Sequence, residues 1–172
     1  SSCGMVISVA AADNPAVRAL VYVAGFAPEP GETAVQLSGK FEGSTLAGAL
    51  IGYPLTSGGN ELRIAAEKFH GQFCADLSAD EAALMAVTQR PVTERALTEG
   101  LTVNEPAWKT KPSWFVYGES DLNIPAELMR FMAERASSKG TRRIPGASHA
   151  IAASQPDAVA ATIFEAANDV HE

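Results

Sequence analysis

Hydrophobic and polar positions divide this chain into three stretches with different rhythms. Residues 4–12 are small and apolar, the pattern of a helix packed closely on a sheet. Asp13-Asn14-Pro15 ends it, because the residue before a proline is pushed out of helical geometry. Ala19-Leu20-Val21-Tyr22-Val23-Ala24 follows as a nearly unbroken apolar run, which predicts a central parallel strand buried on both faces. Residues 25–32, with Pro28 and Pro30, form the loop leaving its carboxyl end.

Residues 33–110 read differently. Glycines and short polar turns run to Asn60, with Leu62-Arg63-Ile64 as one short strand. Helical spacing then appears over 67–75, over 79–89 behind a Ser78 N-cap, and over 92–99 behind Pro91. This predicts a small, mostly helical insertion. The strand–helix rhythm returns with Ser113-Trp114-Phe115-Val116-Tyr117. A helix opens at Pro125 and runs to about residue 137, with Leu128, Met129, Met132 and Ala136 on one face. Residues 141–144 form a short strand, and a last helix over 155–170 places Val159, Ile163 and Ala167 inward. Strands alternating with helices define an α/β fold with a mostly parallel sheet flanked by helices. The core is expected at residues 1–32 and 111–172, and the insertion at 33–110.

Composition narrows the function classes. The 172 residues are 47% hydrophobic and 19% charged, the balance of a globular protein. A net charge of −7 disfavours a nucleic-acid partner, whose phosphates such a surface would repel. No apolar run approaches the roughly 20 residues of a membrane span, and no secretory leader is visible. Cys3 and Cys74 are too few for a disulfide framework or a four-ligand zinc site. A cytoplasmic protein without metal or cofactor is expected. The chain opens at Ser1-Ser2-Cys3 already in helical pattern, so the expectation is that sequence carrying further strands belongs upstream.

Functional groups of parallel α/β sheets gather on loops at the strands' carboxyl ends. Asp121 lies four residues past Tyr117, His149 five past Ile144, and Ser1 and Ser2 immediately precede the first helix. Serine, then acid, then histidine is the chain order of a hydrolase triad. A serine hydroxyl is a poor nucleophile until a base takes its proton, and imidazole suits that task near neutrality. The carboxylate fixes the imidazole tautomer. Each residue also has a plainer role. Asp121 fits as a cap of the next helix, His149 as a loop residue bonded to backbone, and Ser1 as an N-cap. His70 fits better as a packing residue than as a pocket wall, and Cys74 as a small buried side chain.

Three blocks together resemble a known family. They are Val21-Tyr22-Val23-Ala24-Gly25-Phe26-Ala27-Pro28-Glu29-Pro30-Gly31-Glu32, Trp114-Phe115-Val116-Tyr117-Gly118-Glu119-Ser120-Asp121 with Ile124-Pro125, and Gly146-Ala147-Ser148-His149-Ala150. They look like the α/β-hydrolase fold, closest to bacterial esterases related to plant methylesterases and hydroxynitrile lyases. The resemblance implies Asp121 as triad acid, His149 as base, and residues 33–110 as a cap over the substrate pocket. Aligned with that family's Gly-His-Ser-x-Gly-Gly elbow, Ser1 takes the nucleophile position and the Ser2 backbone N–H an oxyanion position. Cys3 then stands where the family has a glycine. In the alternative register Ser2-Cys3-Gly4 forms Ser-x-Gly, and Ser2 is the nucleophile.

The expected activity is a serine carboxylesterase acting on small esters through an acyl-enzyme. Leu62, Phe69, Phe73, Leu84, Met85 and Trp108 are expected to make the pocket apolar. A separate N-terminal fragment or a homodimer is the expected partner. Two rivals remain open at this stage. One is a truncated, non-catalytic binding module. The other is a hydroxynitrile-lyase-like enzyme, which a cap lysine (Lys40, Lys68 or Lys109) facing the pocket would favour.

Overall fold

The computed structural model of the protein describes residues 2–171. Its elements follow one another as α1 (Ser2–Ala10), β1 (Leu20–Val23), α2 (Ala34–Ser38), β2 (Leu50–Pro54), β3 (Asn60–Ile64), α3 (Ala66–Phe73), α4 (Ala79–Thr88), β4 (Val92–Thr93), α5 (Glu94–Thr98), β5 (Ser113–Gly118), α6 (Ala126–Arg135), β6 (Gly140–Ile144), α7 (Ile151–Ser154) and α8 (Pro156–Asp169). Two short 3-10 turns, Ala47–Ala49 and Ala107–Lys109, complete the order.

Three strands form a parallel sheet in the order β1-β5-β6, with Tyr22 level with Phe115 and Val116 level with Arg142. The middle strand β5 is buried along its whole length, which is why its sequence is continuously apolar at the centre. Strand β6 is an edge with Arg142 and Arg143 exposed on it. Arg142 reaches Thr162 Oγ1 at 3.1 Å and Glu165 Oε2 at 3.0 Å, while Arg143 pairs with Glu119 and Glu127. Charge on an edge strand discourages further pairing there.

Helix α1 packs closely on the loop that leaves β1. A Cβ on Gly4 would come within 2.6 Å of Phe26 N and 2.9 Å of the Gly25 carbonyl carbon, so only glycine fits. Ser8, buried in the next turn, donates to Gly4 O at 2.7 Å and shares a 2.8 Å hydrogen bond with the Tyr22 hydroxyl. Burial pushes that hydroxyl's pKa up to about 12, against a smaller lowering by Ser8. The Tyr22 ring stacks on Phe115 at 4.7 Å, joining helix and two strands in one core.

Helix α6 buries Leu128, Met129 and Met132 in the same core as Tyr22 and Phe115, as the i, i+1, i+4 spacing predicts, and α8 packs Val159 against Val116 on the other face. Helix α8 turns differently from expectation. Val159, Thr162 and Ala166 face inward, whereas Ile163 is 48% exposed and Ala167 only half-buried. Thr162 tolerates the interior because its hydroxyl donates to Ala158 O at 2.9 Å and accepts from Arg142.

Between β1 and β5 the chain builds a unit of its own. Helix α2 begins with a Thr33–Gln36 capping box and α4 with a Ser78–Glu81 capping box. The expected helices are present, but so is an antiparallel sheet of order β2-β3-β4. A turn containing Gly58 and Gly59, both at positive φ, closes its hairpin. Val92 and Thr93, expected at the start of a helix, instead pair with β3, and α5 begins at Glu94. The two ends of the insertion are fastened together by Gly31 N–H to Leu101 O at 3.0 Å and Leu101 N–H to Glu32 O at 3.1 Å.

The loop after β1 is fixed from below by Arg135. Its guanidinium lies 5.5 Å from the Trp108 ring centre and 5.1 Å from that of Phe131. It donates to Ala27 O at 2.6 Å and to both carboxylate oxygens of Glu32 at 2.6 and 3.1 Å. Burial pushes Glu32 upward, but these bonds hold its carboxyl below the usual range. Trp108 donates its Nε1–H to Pro28 O at 2.8 Å, so it belongs to this core and not to a pocket wall.

Candidate active site

The loops after β5 and β6 lie side by side because backbone hydrogen bonds join them. Glu119 N–H donates to Ile144 O at 2.9 Å and Ser120 N–H to Ala147 O at 3.0 Å. Gly118 permits that approach: a Cβ there would sit 2.5 Å from Ser148 O and 2.7 Å from the Ala147 carbonyl carbon. Gly146, at φ +68°, turns the second loop back over the sheet.

This arrangement brings Asp121 and His149 together. Asp121 Oδ2 lies 2.7 Å from His149 Nδ1, with side-chain exposures of 0% and 5%. The other oxygen, Oδ1, accepts from Asn123 N–H at 2.7 Å and Ile124 N–H at 2.9 Å. Asp121 therefore does both things its sequence position allowed: it organises the turn before α6 and it addresses the imidazole. A carboxylate only accepts, so Nδ1 is the donor, and in the neutral imidazole Nε2 then keeps its lone pair. That is the tautomer of a general base. Asn123 and Ile124 enter the site through backbone alone, a role for which side-chain patterns carry no signal.

His149 is also packed from the insertion. The Phe73 ring meets the imidazole edge-on at 5.0 Å and 66°. Phe73 and Asn123 in turn border a cavity of about 710 Å³ between the core and the insertion. Its walls are largely apolar, with Phe26 from the core side and Ala34, Leu62, Phe69 and Met85 from the insertion. Of the side chains expected there, Leu62, Phe69, Phe73 and Met85 line it, whereas Leu84 is exposed and Trp108 is packed elsewhere.

Ser2 lines the same cavity at the first turn of α1. Ser1 lies outside the described residues. Cys3 is exposed and Cys74 buried. Burial, with the charge of Asp76 in second place, pushes the Cys74 thiol up, away from thiolate character. The His70 Nε2 lies 2.8 Å from Leu77 O, so His70 fastens a turn, and His171 is exposed. Among the described residues no group of three or more His, Cys, Asp or Glu side chains is placed to hold a metal ion. None of their helices is long and apolar enough to cross a membrane.

The family model described as "Alpha/beta hydrolase family" matches residues 4–162, and the chain belongs to that family. Solved structures share the fold at low identity. Polyneuridine aldehyde esterase superposes with a TM-score of 0.77 at 15% identity, over 96% of this chain and 68% of that one. A methylesterase from Arabidopsis gives 0.73 at 14%, over 98% and 66%, and a pyrethroid hydrolase 0.71 at 19%, over 100% and 69%. This chain thus spans about two thirds of their length. No curated protein matches it in sequence. The expectation of an α/β-hydrolase fold with a parallel sheet is met, and hydrolases and esterases are the company it keeps.

Proposed function

We propose that the protein is a serine carboxylesterase acting on small, predominantly apolar esters, with residues 33–110 as a cap over the substrate. Ser1 is the nucleophile, His149 the general base, Asp121 the residue that orients His149, and the Ser2 backbone N–H an oxyanion donor. The observation that carries this reading is the buried Asp121–His149 pair, held on its far side by two backbone donors.

The chemistry follows from the tautomer. His149 Nε2 takes the Ser1 hydroxyl proton as Oγ attacks the ester carbonyl, and the carbonyl electrons move onto oxygen, facing the Ser2 N–H. The C–O bond to the alcohol then breaks as Nε2 returns that proton to the leaving oxygen. A water molecule repeats the sequence on the acyl-enzyme, releasing the acid and the free serine. Asp121 supports the transient imidazolium throughout. The largely apolar walls of the 710 Å³ cavity suit the hydrocarbon part of an ester and carry no carboxylate.

A lyase reading called for a lysine in the cavity. Lys68 instead donates to Gly48 O, Lys109 pairs with Glu29, and Lys40 lies over the Phe131 ring. None lines the cavity, which favours the hydrolase. The test is turnover of p-nitrophenyl acetate and butyrate by the purified protein and by His149→Ala. Turnover that His149→Ala abolishes supports the reading; no turnover by the parent protein favours a binding module.

A further inference from the structure

The residues on both sides of His149 are bonded to the insertion. Ser148, buried directly before it, donates its hydroxyl to Asp76 Oδ1 across 72 positions of sequence. Ala150, directly after it, donates its N–H to Phe73 O at 3.2 Å, and the same N–H lies 3.3 Å from Ser148 Oγ. The Ala150 side chain joins the insertion's own apolar cluster with Phe69, Cys74 and Ala82. The imidazole itself rests on Phe73. The core contributes the Asp121 contact and the Ser120 N–H bond to Ala147 O, while residues 73–76 hold Ser148 by its hydroxyl and Ala150 by its N–H.

We propose that Asp76 is a positioning residue for His149, acting through the Ser148 hydroxyl, so that the seating of the insertion sets the orientation of the base. This rests on the reading of His149 as the base. Two contacts fix an imidazole's direction less well than three: Asp121 engages one ring nitrogen and Phe73 meets the ring in a T-shaped contact, while Ser148, between the bonded Ala147 carbonyl and Ala150 N–H, keeps freedom of its own. The Asp76–Ser148 bond closes that freedom. Burial pushes Asp76 upward, yet the Ser148 and Ser154 hydroxyls and the N–H groups of Ser148 and Asp76 more than offset it and hold the carboxyl below its ordinary range. The acceptor is therefore charged, and its bond strong, across the pH range in which an imidazole base works.

Three variants separate positioning from bulk stability. Asp76→Asn keeps an acceptor oxygen for Ser148, whereas Asp76→Ala and Ser148→Ala remove the bond. Misplacement of a catalytic group by about 1 Å costs on the order of a hundredfold in rate. We expect kcat for p-nitrophenyl butyrate to fall tenfold to a hundredfold (roughly, on that scale) in both alanine variants, with KM little changed and Asp76→Asn near the parent. A second readout needs no turnover: the downfield Nδ1–H proton of His149, bonded to Asp121, should be sharp in the parent and Asp76→Asn and broadened or lost in the alanine variants. Folded alanine variants that keep kcat within twofold and the same downfield proton would overturn the proposal. A parent protein without esterase activity whose proton still responds in this way would remove the esterase reading and leave the positioning role standing.

Discussion

Replacing Asp121 by asparagine tests the orientation of His149 with a change of one atom. Oδ1 of Asp121 accepts from the N–H groups of Asn123 and Ile124, so the oxygen of an asparagine is drawn to that position. Its NH2 group is then left 2.7 Å from His149 Nδ1, where Oδ2 stood. An amide NH2 only donates, so Nδ1 must become the acceptor and the ring proton must move to Nε2. In that tautomer Nε2 has no lone pair for the serine proton. The same inversion in a serine-protease triad lowers kcat about 10⁴-fold, which at 1.36 kcal/mol per tenfold is about 5.4 kcal/mol of transition-state stabilisation. The fold should be nearly unaffected, because both backbone donors keep their acceptor and the volume is unchanged. The assay is single-substrate ester kinetics beside a nitrogen-15 spectrum of the imidazole: kcat should fall about 10⁴-fold, and the protonated nitrogen should change from Nδ1 to Nε2. A variant within tenfold of the parent, or an unchanged tautomer, would refute the reasoning.

Two further perturbations address the supports of the site. Gly118→Ala would drive its Cβ against the backbone of Ala147 and Ser148, displacing the His149 loop by roughly 1 Å, so kcat should drop on the order of a hundredfold while circular dichroism remains native; wild-type kinetics would show that the loop position is not critical. Arg135→Leu takes its donor from the Ala27 carbonyl and leaves Glu32 only the Glu29 N–H, and should cost about 2 kcal/mol, less than a fully buried pair because both side chains retain some exposure, with thermal unfolding as the measure. Glu32 is depressed below its ordinary value of 4.5, so its contribution is present above that pH and is lost as pH falls through the lower folded value. The gap in Tm between parent and Arg135→Leu should therefore be full near neutrality and shrink in acid below 4.5; a gap that widens there would contradict the pairing.

What could be read in advance divides along physical lines. Strand β5 was legible because burial on both faces leaves an apolar run with no other explanation, whereas β1, expected to be central, carries the same kind of run but ends the described sheet and is only half-buried at Val21 and Val23. Asp121 and His149 were legible because the carboxyl ends of β5 and β6 fix where useful side chains can stand. The hairpin β2–β3 was harder: Leu50-Ile51-Gly52-Tyr53-Pro54 is mostly exposed, so no alternation with a buried face marks it, and Gly52 and Pro54 argue against a strand. Val92-Thr93 looks like a helix start behind Pro91, and pairing with Glu61 and Leu62 overrides that local preference. In α8, Ile163 outranks Thr162 as a core residue by hydropathy, yet Thr162 faces inward because Arg142 and the Ala158 carbonyl satisfy its hydroxyl. The Asp76–Ser148 bond has no local signature at all, since its partners are 72 positions apart in the chain.

The central claim is that Asp121 and His149 serve a serine at the start of α1. Fluorophosphonate labelling, with the modified peptide located by mass spectrometry, tests it most directly. A single phosphonylated residue, Ser1, is expected in the parent protein, with loss of the label in His149→Ala. Label on Ser2 would select the alternative register. Label that survives His149→Ala, or that falls on a residue outside α1 and its preceding serine, would contradict the account.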